Sequence, residues 1–147
     1  MPSSNSVAAW DLIRLGRIVG DADWEQKSAR TMAAFSHSIE ESPTSHAMML
    51  TALGFILGPS HEAVVAGVSD APETSAMLRA LWGAFIPNAI VLHLPAEEPR
   101  PRIARYAQYM DGMGTKDGRA AAYICTGYAC QRPVTEPAEA LGLILKP

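Results

Sequence analysis

Residues Glu62–Leu94 read EAVVAGVSDAPETSAMLRALWGAFIPNAIVLHL, and this stretch decides the fold. Glu62–Val68 (EAVVAGV) is a short β-branched run, the composition of a strand. Pro72–Phe85 then repeats Met77, Leu78, Leu81, Trp82 and Phe85 at helical spacing, so one face of a helix is apolar. Ala89–Leu94 is a second apolar run. Strand, helix and strand of this length predict a βαβ unit, with two parallel strands joined by a right-handed crossover.

Working toward the C-terminus, Ala120–Cys125 is the natural third strand. Before it, Pro95–Gly118 opens with a proline-rich turn, PAEEPRP, followed by a short helix over Ile103–Met110 and an exposed, mobile loop over Asp111–Gly118. Thr135 is placed to cap a last helix running to about Leu145, with Ala138, Leu141 and Leu145 turned inward.

Toward the N-terminus the period changes to that of helices. Ala8, Leu12, Leu15 and Val19 define a first helix over Ser6–Val19, capped by Asn5 or Ser4 and ended by Gly20. A second is expected from the cap Asp23 to about Glu41, with Trp24, Met32, Phe35 and Ile39 on one stripe. Pro43 opens a third, running to Leu57. That third helix is apolar almost all round and must be covered on several sides. The expected class is therefore α/β: three N-terminal helices, then a small three-stranded, mainly parallel βαβ layer with a C-terminal helix. Residues 1–58 make the helical segment and 59–147 the α/β segment, packed as one compact unit.

Composition narrows the function. A chain of 147 residues, 48% of them hydrophobic, is long enough to bury a core. A net charge of −3 with scattered Lys and Arg leaves no footprint for a nucleic acid. No apolar run reaches the ~18 residues needed to span a bilayer, and MPSSNSVAAWDL lacks a basic segment followed by an apolar one, so a cytoplasmic protein is expected, with neither nucleic acid nor membrane as partner. His37, His46, His61 and His93 follow no zinc spacing, and no metal or cofactor is expected.

Four residues carry candidate chemistry. Cys125 and Cys130 are separated by four residues, with Gly127 available for a reversal. Catalysis would need an exposed thiol with a lowered pKa, and only Arg132 lies close enough in sequence to help. The favoured reading makes Cys125 a packed strand-end residue and Cys130 a buried loop anchor; a disulfide or metal contact and a catalytic thiol are the alternatives. Ser69 lies in Gly67-Val68-Ser69-Asp70-Ala71, where a G-x-S-x-G elbow would sit if Ala71 were glycine, and His93 is the one histidine positioned to serve it. The simpler role for Ser69 or Asp70 is to cap the Pro72 helix. No G-x-G-x-x-G and no phosphate-cradling lysine accompanies Gly67, but ligands bind at the open end of such parallel layers, which keeps Ser69 and His93 in view. A third set, Asp11, Asp23, Trp24, Glu25, Glu40 and Glu41, reads mainly as capping and solvated residues.

The two ends of the chain carry a resemblance. AAYICTGYACQRPVTEP at Ala121–Pro137 holds an Ala-Tyr-x-Cys, x4, Cys-x-x-Pro pattern, and PSSNSVAAWDLIRLGRI at Pro2–Ile18 is a distinctive helix start. Both are similar to the C-terminal part of the thioredoxin-domain-containing family that includes spermatogenesis-associated protein 20, with Ser4 where that family usually has glycine. The resemblance implies the last helices of an (α/α)6 toroid of the six-hairpin-glycosidase type, followed by a terminal α/β segment. It implies carboxylates and aromatics at helix ends, and a Pro2–Ser6 loop facing the ring interior. No Cys-x-x-Cys is present, so the family's thioredoxin-type redox centre is not carried over. Taken out of a ring, the Pro43–Leu57 helix would keep an uncovered apolar flank, which implies self-association or binding to the remainder of such a protein. The expected role is structural or assembly-related, without a complete active site; a small thiol or Ser/His enzyme and a protein-binding module are the competing readings.

Overall fold

The computed structural model describes residues 1–99 and 101–145, so Arg100 of the PAEEPRP turn lies outside the described residues. The chain divides into two compact units, Met1–Pro59 and Ser60–Pro147.

The first unit is helical: α1 (Ser4–Val19), α2 (Ala22–Ala34), α3 (Ser36–Glu41), a 3-10 turn at Pro43–His46, and α4 (Ala47–Leu57). The caps fall slightly upstream of those expected. Ser3 rather than Asn5 or Ser4 caps α1 by accepting from the Ser6 N–H, and Asp21 rather than Asp23 caps α2. Gly20 ends α1 in the left-handed region at φ 74°, as its position predicts. The helix expected from Asp23 to Glu41 is interrupted at Phe35, whose side chain packs on the cluster of Ala9, Met32, Met49 and Ala52. Pro43 opens the short 3-10 turn, and the α-helix proper begins only at Ala47. Two polar-aromatic details fix the packing: Ser28 Oγ donates to the Ala9 carbonyl at 2.6 Å, and Trp10 meets Phe55 edge to face at 5.7 Å. On α4, Met49, Ala52 and Phe55 are fully buried while Leu57 is 76% exposed.

The second unit is a four-stranded mixed sheet in the order β2-β1-β3-β4, built from β1 (His61–Gly67), β2 (Ala89–Pro95), β3 (Ala121–Thr126) and β4 (Ala129–Cys130), with helices α5 (Pro72–Gly83) and α6 (Pro137–Leu145). The β1-α5-β2 unit is parallel, as the sequence predicts. The third strand instead runs antiparallel to β1, so the layer is mixed rather than mainly parallel. The register supplies the reason. Gly67 faces Pro95 at the end of β2, and Ala66 faces Ala121 at the start of β3, so the chain re-enters the sheet at the end where it left. A parallel third strand would need a crossover back to the other end. Among the described residues the connection has no such helix, only 3-10 turns at Arg102–Arg105 and Gln108–Met110 in place of the expected Ile103–Met110 helix.

Those turns cover one face of the sheet, where Ala107 and Met110 pack with Val64, Ala66 and Leu94. Helices α5 and α6 cover the other, bringing Met77, Leu78, Leu81, Ala140 and Ile144 onto Ala63, Val65, Ala122 and Ile124. With both faces covered, every residue of β1 is buried, which accounts for its unbroken apolar run.

Candidate functional site

Gly67 ends β1 where α5 folds back on it. A Cβ at this position would stand 2.3 Å from Thr74 Oγ1 and 3.0 Å from the Ala120 methyl, so the close approach requires glycine. The turn that follows presents Ser69 to solvent, beyond the carboxyl ends of β1 and β2. Ser69 does not cap α5. Its N-cap is Ala71, without a side-chain bond. Instead Ser69 Oγ donates to Glu97 Oε1, and the Ser69 N–H points at both carboxylate oxygens at 3.2 and 3.4 Å. Glu97 comes from the turn after β2. The Ser69 hydroxyl, then backbone N–H groups and the nearby His93, hold its carboxyl below the usual carboxylate range.

His93 approaches the same turn but not the serine. Its Nε2 lies 3.1 Å from the Gly67 carbonyl, which can only accept, so Nε2 carries a proton. The structure therefore gathers Ser69, His93 and the unforeseen Glu97 at one end of the sheet, with Ser69 bonded to the carboxylate and His93 to backbone. In this arrangement no histidine nitrogen takes up the Ser69 proton.

On the other face of the same sheet end is a cleft of about 280 Å3, lined by Ala66, Leu94, Pro101 and Met110, with Glu98 and Asp111 among its residues. Among the described residues, the charged side chains that line it are the carboxylates of Glu98 and Asp111. In the helical unit, Pro2 and Ser6 line a second cleft of about 270 Å3 with Thr44, Ser45 and Met48. Asp11, Asp23 and the pair Glu40 and Glu41 are exposed on three separate helices, and Glu25 pairs with Arg17 at 3.3 Å.

The two cysteines form a disulfide, Cys125–Cys130, with Cα atoms 3.8 Å apart, closer than the usual window of about 4.4–6.8 Å. This corrects the reading of two packed free thiols. Cys125 is buried as expected, at 1% exposure, but Cys130 is exposed rather than a buried anchor. The reason is a two-residue hairpin. Gly127 and Tyr128 have φ of 55° and 66°, both positive as a type I′ turn requires, which turns the chain back as the short strand β4. Thr126 pairs with Ala129 and Cys125 with Cys130, and the Gln131 N–H reaches the Ile124 carbonyl. On the facing strand, His61 Nδ1 lies 2.8 Å from Thr126 Oγ1.

Glu62 is a buried carboxylate that the sequence reading did not single out. It is 2% exposed on the central strand and sits directly opposite Cys125. Its signal in the sequence is a carboxylate at the head of an otherwise apolar strand.

Among the described residues, no helix is long and apolar enough to cross a membrane. No family model matches the chain, and no solved structure matches it. Over 138 residues it is 30% identical to human spermatogenesis-associated protein 20, 30% identical to the rat protein and 29% to the mouse protein. Each alignment covers 94% of this chain and 17% of the relative. The chain is thus similar, along nearly its whole length, to a small part of spermatogenesis-associated protein 20.

Proposed function

We propose that this chain is a C-terminal segment of a larger protein, or one part of a split protein, related to spermatogenesis-associated protein 20, and that its own role is structural or in assembly. The observation that carries this reading is the asymmetry of the alignment, 94% of this chain against 17% of the relatives. In this reading Met1–Pro59 stands where the last helices of an (α/α)6 toroid stand, and the α/β unit closes the chain. Exposed apolar side chains support it: Leu57 at 76%, Trp82 at 62%, Phe85 at 91% and Leu145 at 61% leave surface for a partner to cover. At Ser69 the hydroxyl is bonded to the Glu97 carboxylate and not to His93, so the Ser/His pair of the competing reading is not assembled here.

The test is to sequence the reading frames flanking the coding sequence and co-express any neighbour that aligns with the remainder of the relatives. A stable complex between the two polypeptides is expected. Unrelated flanking frames, together with a lone chain that stays monomeric, would overturn the reading.

A further inference from the structure

A sheet leaves backbone donors and acceptors unpaired wherever an edge strand has no outer neighbour. Strand β2 is such an edge in the order β2-β1-β3-β4. The His61 N–H donates to the Asn88 carbonyl and the Ala96 N–H to the Gly67 carbonyl, which fixes the phase of the parallel ladder. Even-numbered residues of β2 therefore turn their N–H and C=O groups toward β1, and odd-numbered ones turn theirs outward. Outward lie the N–H groups of Val91 and His93, with the carbonyls of Ala89, Val91, His93 and Pro95. The Ala89 N–H is taken by the Ile86 carbonyl, and Pro95 has none. Among the described residues nothing pairs with the Val91 and His93 N–H groups. The usual protections of an edge are also missing from this strand: it runs seven residues without a bulge, it carries no Lys or Arg, and its proline comes last. Its middle, Val91–His93, is half-buried, whereas β1 is buried throughout.

We infer that β2 pairs antiparallel with β2 of a second copy of this chain, joining the two sheets into one. The inference goes beyond the reading of the chain as a segment of a larger protein and stands without it. The edge is self-complementary. With the two-fold axis at Leu92, Val91 of each copy faces His93 of the other, and each pair exchanges both N–H···O bonds, so every outward donor is used. Pro95 then falls opposite Ala89 of the second copy. The residue that lacks a donor meets the one whose donor is already engaged. On the axis Leu92 meets its own counterpart, an apolar cross-strand pair with Cβ atoms about 4.5–5.5 Å apart.

Helix α5 fits the same arrangement. It packs across both β1 and β2, with Thr74, Met77, Leu78 and Leu81 as its buried stripe. In a right-handed crossover the flank carrying Ser75 and Trp82 turns toward the β2 edge, and the flank of Ala76 and Ala80 turns toward α6 on β3. A helix astride two strands lies about half a strand spacing inside the edge. Joining the sheets therefore brings the two α5 helices to roughly 10 Å, antiparallel, the ordinary distance of packed helices. Trp82 of one copy then covers Ser75 of the other, while Arg79 is exposed on the solvent side, so no like charges are pressed together. Trp82 is 62% exposed, and Phe85, just before β2, is 91% exposed. The two rings offer about 300 Å2 of aromatic surface toward the ~800 Å2 that each partner in a stable complex buries.

The test uses the full chain. Its mass is followed by light scattering and sedimentation over a concentration series, with amide hydrogen exchange in parallel. Twice 15.7 kDa is expected at high concentration, and the Val91 and His93 amides are expected to gain protection as the dimer fills. Val91→Pro deletes an outward donor, leaves the bonds to β1 in place, and is expected to weaken dimerisation on the order of 10- to 100-fold. Circular dichroism establishes that this variant is folded; if it is not, Trp82→Lys, at an exposed position, replaces it with the same expected direction. Three results would each overturn the proposal. One is a chain that stays at 15.7 kDa at about 1 mM, whether or not another polypeptide then occupies the edge. The others are Val91 and His93 amides that exchange freely in a dimer, and a dimer that the folded variant does not weaken. The identity of the flanking reading frames bears only on the segment reading.

Discussion

Three side chains tie the account to measurable numbers. Gly67 leaves no room for a methyl, so Gly67→Ala pushes against Thr74 and Ala120 and is expected to destabilise the fold by about 1–3 kcal/mol in urea titration, the usual cost of overpacking. His61 is buried, and burial lowers its pKa from the ordinary value near 6.5. The unfolded chain therefore binds the proton more readily, and the stability contributed by neutral His61 is fully present above about pH 6.5 and lost as pH falls below it. His61→Gln is expected to flatten that part of the stability–pH curve. Tyr109 behaves in the opposite sense. Burial, and then the nearby Glu62, push its hydroxyl up to about 12 from 10.0. The folded state keeps the proton longer, so stability is lost as pH rises from about 10 toward 12, and Tyr109→Phe should remove that loss.

At the scale of elements, the hairpin and the Ser69 turn make separate predictions. The disulfide closes a loop of only six residues between positions already paired in register. In the chain-entropy model its loss costs about 2 kcal/mol, so Cys125→Ser with Cys130→Ser should lower the denaturation midpoint and leave the sheet intact by circular dichroism. Ser69→Ala removes the largest of the interactions that hold the Glu97 carboxyl down, so its titration should move up toward the ordinary range as followed by NMR; an unchanged titration would contradict the Ser69–Glu97 contact. The elements themselves were unevenly legible. Largely apolar runs at Glu62–Val68 and Ala89–Leu94 marked the parallel pair, and β1 is buried on both faces. The direction of β3 was not legible, since it depends on which end of the sheet the 96–120 connection returns to, and that follows from 3-10 turns packing on Val64 and Ala66. The reversal at Gly127 was legible, but strand β4 was too short to leave a pattern, so the exposure of Cys130 went unread. Ser69 and His93 were placed at the correct sheet end, but Glu97, one of two adjacent acids in a proline-rich turn, had no signal to distinguish it. Glu62 did have one, as an acid heading an apolar strand.

At the scale of the whole molecule, the account rests on apolar surface that the chain alone leaves to solvent. Phe85 at 91% and Leu57 at 76% are far from the average for their types, and each unit contributes such residues. A solitary exposed leucine is ordinary; several large side chains, including Trp82, are the surface on which the proposal of a covering partner rests. The most direct test is the solution mass of the purified chain by light scattering coupled to size-exclusion chromatography, with a hydrophobic dye added in parallel. The account predicts a species heavier than the 15.7 kDa chain, or one that binds the dye strongly and ceases to do so when its partner polypeptide is present. A compact 15.7 kDa monomer that binds no dye would contradict it.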